Sequence, residues 1–178
     1  MPTTKPELLI SEESIQARVS ELARRISEDC PAGEELLLVG VLRGCFIFLA
    51  DLSRRLTAQA RIDFVALSSY GQATRTTGAV RLLMEPRADI EGKHVLIVED
   101  IVDTGHTLHY LVGILGARGP ASLKTCALLR KPSRMEKKVT IDYLGFDVPD
   151  RWVVGYGLDC ADRYRGLPYI GVVNASPE

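Results

Sequence analysis

The stretch Val95-Leu96-Ile97-Val98-Glu99-Asp100-Ile101-Val102-Asp103-Thr104-Gly105-His106-Thr107 decides the fold that this chain can adopt. Its four leading apolar residues are typical of a parallel strand that is covered on both faces, and the strand ends in two acids. Because buried charges need water, a metal ion or a ligand, we expect Glu99 and Asp100 to lie at an accessible edge of the sheet. The sequence therefore predicts an α/β fold with a polar site at the carboxyl end of this strand.

A short polar turn follows the two acids and leads into a helix. Apolar residues then recur at helical spacing, at Leu108, Leu111, Val112 and Leu115. The N–H groups and the positive dipole end of such a helix bind phosphate, and Thr104 and Thr107 add hydroxyl donors. Acids suit a polyol or Mg²⁺, so the whole stretch suits a phosphorylated sugar. A single strand-end acid or threonine is more often a simple cap, so this prediction depends on the joint pattern.

Length and composition limit the class of protein. The 178 residues suffice for one domain with a full core, and 46% hydrophobic with 25% charged residues is typical of a soluble globule. A net charge of −1 gives no general attraction to nucleic acid or to an anionic membrane. The four cysteines form no Cys-x-x-Cys pair, and we expect reduced thiols. The sequence has no signal segment and no long apolar run, so we expect a cytoplasmic protein.

The spacing of apolar residues predicts the other elements. A helix capped at Ser11 would bury a stripe formed by Ile15, Val19, Leu22, Ala23 and Ile26. A second helix is predicted from Phe46 to about Leu56. Further strands are predicted at 36–42, 61–69, 80–84, 123–129, 143–146, 152–158 and 170–173.

Two more segments are candidates for chemistry. The strand at 36–42 ends in Arg43-Gly44 before a helix, which makes a second candidate anion site, although a glycine there often serves backbone geometry alone. The glycine-bounded polar run from Ser69 through Tyr70 to Gly78 has almost no large apolar side chains. Because it cannot anchor itself to a core, we interpret it as a lid, with a surface hairpin as the alternative.

Residues 95–105 resemble the phosphoribosyl-pyrophosphate (PRPP) signature of type I phosphoribosyltransferases, and residues 146–159 resemble the branch that acts on 6-oxopurines. The resemblance spans roughly residues 36–173. It implies the fold of that family, with a central parallel sheet flanked by helices and a small hood that carries the base pocket. We expect one domain over 1–178, with a core at about 36–140 and a hood from the N-terminal helix and the C-terminal segment.

The resemblance implies transfer of the phosphoribosyl group of PRPP to N9 of hypoxanthine, and of guanine, with release of pyrophosphate. Glu99 and Asp100 would bind the ribose hydroxyls and, with Asp159, hold Mg²⁺. The turn from Asp103 to Thr107 would bind the 5′-phosphate, and Asp103 would be the general acid or base at purine N7. His106 stands where the family often has Lys or Arg, so phosphate affinity could depend on pH.

The resemblance also assigns the pyrophosphate group. Leu42, Arg43 and Gly44 are similar to the pyrophosphate loop of the family, in which the peptide before the basic residue can be cis. The family more often has Lys at the position of Arg43. Arg165 matches the pyrophosphate-binding arginine of the branch, and Ser69-Tyr70 resembles the mobile catalytic loop.

The purine site is implied by three further residues. Lys131 would donate to O6 of the base, Trp152 would stack on its ring, and Val153 would offer backbone groups to its edge. A solvated surface lysine and a core tryptophan are the alternatives. The family forms oligomers, so we expect a homodimer or homotetramer that binds small molecules and neither nucleic acid nor membrane.

Two other classes of protein share part of this pattern. A receiver domain also contains Leu-Ile-Val-Glu-Asp, but it carries its acid pair after its first strand, whereas 94 residues precede Val95 here. A regulator that senses PRPP while binding nucleic acid is the second class. The near-neutral charge argues against it, and Lys131, Trp152 and Asp159 would have no reason to occur together.

Overall fold

The structure is a computed structural model that describes residues 5–69 and 80–173. The predicted lid therefore lies outside the described residues from Tyr70 onward, and the backbone of Ser69 ends a strand. The strands are β1 (Glu7–Ile10), β2 (Leu36–Leu42), β3 (Ala60–Ser69), β4 (Val80–Met84), β5 (His94–Val102), β6 (Ser122–Arg130), β7 (Tyr143–Asp147), β8 (Trp152–Val154) and β9 (Ile170–Val173). The helices are α1 (Glu12–Asp29), α2 (Phe46–Ser53) and α3 (His106–Gly116), with a 3-10 turn at Pro132–Arg134.

Six strands form the central sheet in the order β4-β3-β2-β5-β6-β7. All neighbours pair in parallel except β3 and β4, which are antiparallel. Helices cover both faces, because Leu96 and Val98 of β5 pack in one core with α1 and α2, whereas Val95 and Ile97 pack in a second core with α3. A strand buried on both faces can be apolar at every position, which confirms the predicted α/β fold with its central parallel sheet.

The predicted first helix is present and buries its whole apolar stripe. Its start is capped as expected, since the Ser11 side chain accepts a hydrogen bond from the Ser14 N–H at 3.3 Å. Within the two described ranges, no helix is long and apolar enough to cross a membrane.

A second, three-stranded antiparallel sheet in the order β1-β9-β8 forms the hood. The N-terminal contribution to this sheet is strand β1, whereas α1 contacts α2 and β7 of the core. The core sheet also continues to β7, past the expected limit near residue 140. The apolar stripe of α1 packs in one core cluster with α2 and the large sheet, and buried hood residues such as Val153 and Ile170 belong to the same cluster.

Two elements end earlier than the sequence predicts. The strand expected at 152–158 ends at Val154, because Gly155, Tyr156 and Gly157 all have positive φ, at 98°, 51° and 104°. The second helix ends at Ser53. Beyond it, the Arg55 N–H bonds to the Leu52 carbonyl three residues back, which is the 3-10 pattern and not the four-residue spacing of an α-helix.

Candidate functional site

The predicted site residues gather where strand order reverses. From β2 the chain runs to β3 on one side of the sheet, and from β5 it runs to β6 on the other side. In open α/β sheets, ligands bind outside the carboxyl ends of strands at such a switch point. Leu42 ends β2, Glu99 lies near the end of β5, and Lys131 follows β6 with its N–H bonded to the Val102 carbonyl at 3.0 Å.

The predicted pyrophosphate loop contacts both the acid pair and the hood. The peptide between Leu42 and Arg43 is cis. A Cβ atom placed on Gly44 would lie 1.6 Å from Oδ2 of Asp100, and a Cβ on Gly157 would lie 2.0 Å from the Gly44 carbonyl oxygen. The loop can therefore occupy this position only because both residues are glycines.

Of the two strand-end acids, Glu99 is buried and incompletely bonded, and Asp100 is partly buried. Glu99 is 5% exposed, and its Oε2 atom has no hydrogen-bond partner in the described chain. Burial, with the nearby Asp100 charge, raises the pKa of Glu99 well above its ordinary range. Burial also raises the pKa of Asp100 to about 6, although backbone N–H groups and Arg165 act in the other direction. Such a pair is suited to a ligand that brings hydroxyl groups or positive charge.

The turn expected to bind phosphate leads directly into helix α3. Gly105 starts α3 with φ +83°, and no side chain of the described chain caps this helix, so its first N–H groups remain available to a ligand. A Cβ on Gly105 would lie 2.9 Å from the Lys137 carbonyl oxygen. Beside the turn is a cavity of about 80 Å³, lined by Glu99, Ile101, Val102, Asp103, Thr104, Gly105, Thr107 and Leu108.

His106 has a carboxylate partner 30 positions away along the chain. Its Nε2 atom lies 2.8 Å from Oε2 of Glu136. The N–H groups of Glu136 and Lys137 both donate to the Thr104 carbonyl at 3.0 Å, which holds this segment behind the phosphate turn.

Asp103 and Lys131 belong to one cluster of charges. Nζ of Lys131, a residue only 8% exposed, lies 3.8 Å from Asp103 Oδ2 and 3.5 Å from Asp150 Oδ1. Arg134 places its Nε atom 2.6 Å from Asp103 Oδ1, as an ion pair without hydrogen-bond geometry. Lys131 is therefore a buried lysine and not a solvated surface residue. Arg134 and Asp150 were not among the predicted residues, although both lie within three residues of one that was.

On the hood, Trp152 is 43% exposed, so the alternative of a core tryptophan is wrong. Its indole N–H donates to the Asp159 carbonyl at 3.2 Å, which leaves the ring at the surface. Val153 is buried and pairs with Val172 of β9. Asp150 links this region to the core, because it precedes β8 and contacts Lys131.

Arg165 is anchored by the hood itself. Its NH1 atom donates to the Gly157 carbonyl at 2.8 Å, and its NH2 atom lies 2.7 Å from Oδ1 of Asp159. The same NH2 atom lies 3.2 Å from Oδ1 of Asp162, which also accepts from Arg43 at 2.8 Å. The two arginines predicted to bind pyrophosphate are thus joined through one carboxylate.

The predicted metal ligands do not form a closed metal cage. In residues 5–69 and 80–173, no group of three or more His, Cys, Asp or Glu side chains is arranged to hold a metal ion. The unpartnered Oε2 atom of Glu99 and the nearby Asp100 nevertheless fit Mg²⁺, which usually takes one or two carboxylates and fills its other positions with water and substrate phosphates. Asp159 is engaged by Arg165 in this structure.

Comparison with known proteins agrees with this geometry. Residues 10–161 match the model of the phosphoribosyl transferase domain. The chain is 51% identical over 168 residues to the hypoxanthine phosphoribosyltransferase of Salmonella typhimurium, with 94% of each chain covered. It is 45% identical over 168 residues to the hypoxanthine-guanine phosphoribosyltransferase of Dictyostelium discoideum, with 93% of each chain covered.

A solved structure extends the similarity to the fold. The crystal structure of a hypoxanthine-guanine phosphoribosyltransferase from Bacillus anthracis aligns with a TM-score of 0.89 at 48% identity, covering 94% of this chain and 98% of the other. Both the sequence and the site geometry therefore lead to the same conclusion. The chain belongs to the type I phosphoribosyltransferase family, in its hypoxanthine phosphoribosyltransferase branch.

Proposed function

We propose that this enzyme transfers the 5-phosphoribosyl group of PRPP to N9 of hypoxanthine and of guanine, giving IMP or GMP and pyrophosphate. The observation that carries the proposal is the 3.8 Å approach of Lys131 to Asp103, which joins the base-reading lysine to the phosphate turn. In a glycosyl transfer between a base and a sugar phosphate, these two regions must meet at the anomeric carbon.

The sugar phosphate would bind along β5 and the start of α3. The 5′-phosphate would accept hydrogen bonds from the uncapped N–H groups and from Thr104 and Thr107. Glu99 and Asp100 would accept hydrogen bonds from the ribose hydroxyls, which supplies the partner that Glu99 Oε2 lacks.

The leaving group would lie between the loop at Arg43 and the hood at Arg165. Mg²⁺ bound with PRPP would neutralise charge that develops on the leaving pyrophosphate, and Asp100, Glu99 and Asp159 are the carboxylates that would hold it. Arg43 and Arg165 would donate to the pyrophosphate oxygens from opposite sides.

The purine would lie on the Trp152 ring, with its O6 atom toward Lys131 and its edge toward the backbone of Val153. A lysine can only donate hydrogen bonds, so it favours a 6-oxo acceptor over the amine of adenine. Asp103 would exchange a proton with N7, and its Oδ1 atom has no hydrogen-bond partner in the described chain.

The function is tested by following pyrophosphate release from PRPP with hypoxanthine, guanine, xanthine and adenine in turn, at saturating Mg²⁺. We expect values of kcat/KM that are high for hypoxanthine and guanine and low for adenine. PRPP binding without any purine-dependent release of pyrophosphate would contradict the proposal and favour a PRPP sensor. We further propose a cytoplasmic homodimer or homotetramer, and light scattering after size exclusion measures that state directly.

A further inference from the structure

Asp162 occupies the space between the two arginines assigned to pyrophosphate. A single oxygen atom, Oδ1, lies 2.8 Å from Arg43 NH2 and 3.2 Å from Arg165 NH2. These arginines come from different parts of the fold, one from the loop after β2 and the other from the hood connection before β9. The carboxylate therefore joins the two sides of the site.

A tight turn holds this carboxylate in position. Cys160 and Arg163 bond to each other through both backbone groups, at 3.2 and 3.1 Å, and the two residues between them have left-handed φ values of 51° and 58°. Such a two-residue turn tolerates aspartate or asparagine better than most residues. The Asp162 N–H also donates to Oδ2 of Asp159 at 2.9 Å, which ties the turn to the carboxylate that pairs with Arg165.

We propose that Asp162 is an affinity-determining residue, an internal carboxylate that occupies the anion position between Arg43 and Arg165 and competes there with the pyrophosphate group. The inference rests on the proposed function, since that function assigns the two arginines to pyrophosphate. Asp162 has no role in the chemistry, and it sets how tightly the leaving group is held.

The direction of the effect follows from exposure and charge. The side chains of Arg43 and Asp162 are 71% and 66% exposed, so the ion pair between them is weak and a multiply charged anion displaces it. A displaced Asp162 remains tied to the turn beside the anion and repels it. Both effects weaken pyrophosphate binding and favour its release after transfer.

The test is calorimetric titration of inorganic pyrophosphate, with magnesium chloride present, into the wild-type protein and the Asp162→Asn variant. Asparagine keeps the size of the side chain and tolerates the left-handed backbone, so the exposed turn should be retained. We expect pyrophosphate to bind the variant about two- to tenfold more tightly, the range for loss of one or two exposed ion-pair contacts. The difference should shrink as salt is raised.

Glu28→Gln is the matched control. It removes one charge from an equally exposed ion pair, with Arg24 on α1, and should leave pyrophosphate affinity unchanged. Asp162→Gly, which also suits the turn, should reproduce the effect of Asp162→Asn. Unchanged or weaker binding in the Asp162 variants would overturn the proposal, because it would mean that the carboxylate does not compete or that it orders the arginines for the ligand.

IMP formation by the same wild-type preparation separates the two hypotheses. A wild-type protein that makes no IMP would contradict the proposed function. An active wild type whose Asp162 variants bind pyrophosphate no more tightly would contradict only the role of Asp162.

Discussion

At the scale of single residues, Asp103 is the point where the turn proposed to bind phosphate meets the region proposed to bind the base. It contacts Lys131 and Arg134 at once, and it directly follows the last residue of β5. Asp103→Asn keeps the shape but removes the proton acceptor, so we expect kcat to fall by roughly 10²–10⁴ with PRPP binding nearly retained. Single-turnover kinetics and PRPP titration measure the two quantities separately. A normal rate for the chemical step would remove Asp103 from the proton transfer.

Lys131 provides the test of base selection. Its Nζ atom is held between two carboxylates in a buried position, so its donors have a fixed direction. Lys131→Gln replaces a charged donor by an amide that can donate or accept, and we expect the hypoxanthine-to-adenine ratio of kcat/KM to fall about ten- to a hundredfold. Lys93→Gln, an exposed lysine at the opposite end of β5, is the control and should leave the ratio unchanged. A ratio that survives Lys131→Gln would show that this lysine does not select the base.

At the scale of elements, the predicted strands of the core are confirmed, because their burial can be inferred from the pattern of apolar residues. A strand covered on both faces is apolar throughout, and β2 and β5 have that pattern. Strand β1 was missed because it has four residues, two of them exposed, and it exists only by pairing with β9. The early end of β8 depends on positive φ values at Gly155, Tyr156 and Gly157, and no local pattern indicates the value at the non-glycine Tyr156.

The residues of the site also fall into two groups, those that could be located from the sequence and those that could not. Residues that follow strand ends could be located from the sequence, because carboxyl ends of parallel strands converge at one edge. Their partners could not, since the contacts of Asp162 with Arg43 and of Glu136 with His106 span 119 and 30 positions along the chain. Such pairs arise from the packing of hood and loops, and a single sequence holds no trace of that packing.

The contact between the pyrophosphate loop and β5 yields an element-scale prediction. Gly44→Ala would place a methyl group on the Asp100 carboxylate, so either the loop or the acid must move. We expect kcat/KM to fall about 10²-fold, the cost typical of a misplacement near 1 Å, while the fold is retained. Gly113→Ala on α3 is the control, because its added methyl meets open space; it should leave activity unchanged. Full activity in Gly44→Ala would mean that the loop is not held against Asp100 during turnover.

At the scale of the whole molecule, one buried hydrogen bond connects the hood to the core. Tyr156, 2% exposed, donates from its hydroxyl to Asp51 Oδ2 at 2.6 Å, and Gln16 of α1 donates to the same oxygen at 3.2 Å. Burial raises the pKa of Asp51, but the hydrogen bonds from Tyr156, Gln16 and Arg54 outweigh it and the pKa is lowered overall. An acid with a lowered pKa stabilises the fold when ionised, and this stabilisation is lost as the pH falls through its folded pKa.

Tyr156→Phe should therefore destabilise the protein by about 1.5–3 kcal/mol at neutral pH, the usual contribution of a hydrogen bond to a charged group. The difference from wild type should narrow below about pH 4, where Asp51 is protonated in the unfolded chain and then in the folded protein. Tyr143→Phe removes a hydroxyl of β7 that donates to Asp29 of α1 at 2.6 Å, a bond between two core elements, and it is the matched control. Because Asp29 is half exposed, we expect a loss below about 1 kcal/mol and no change in nucleotide affinity.

Tyr156→Phe should also weaken IMP binding, since Trp152 and Arg165 lie on the same hood. Denaturant unfolding between pH 3 and pH 8, with IMP titration at neutral pH, measures both effects, and equal behaviour of the two variants would show that Tyr156 does not couple hood and core.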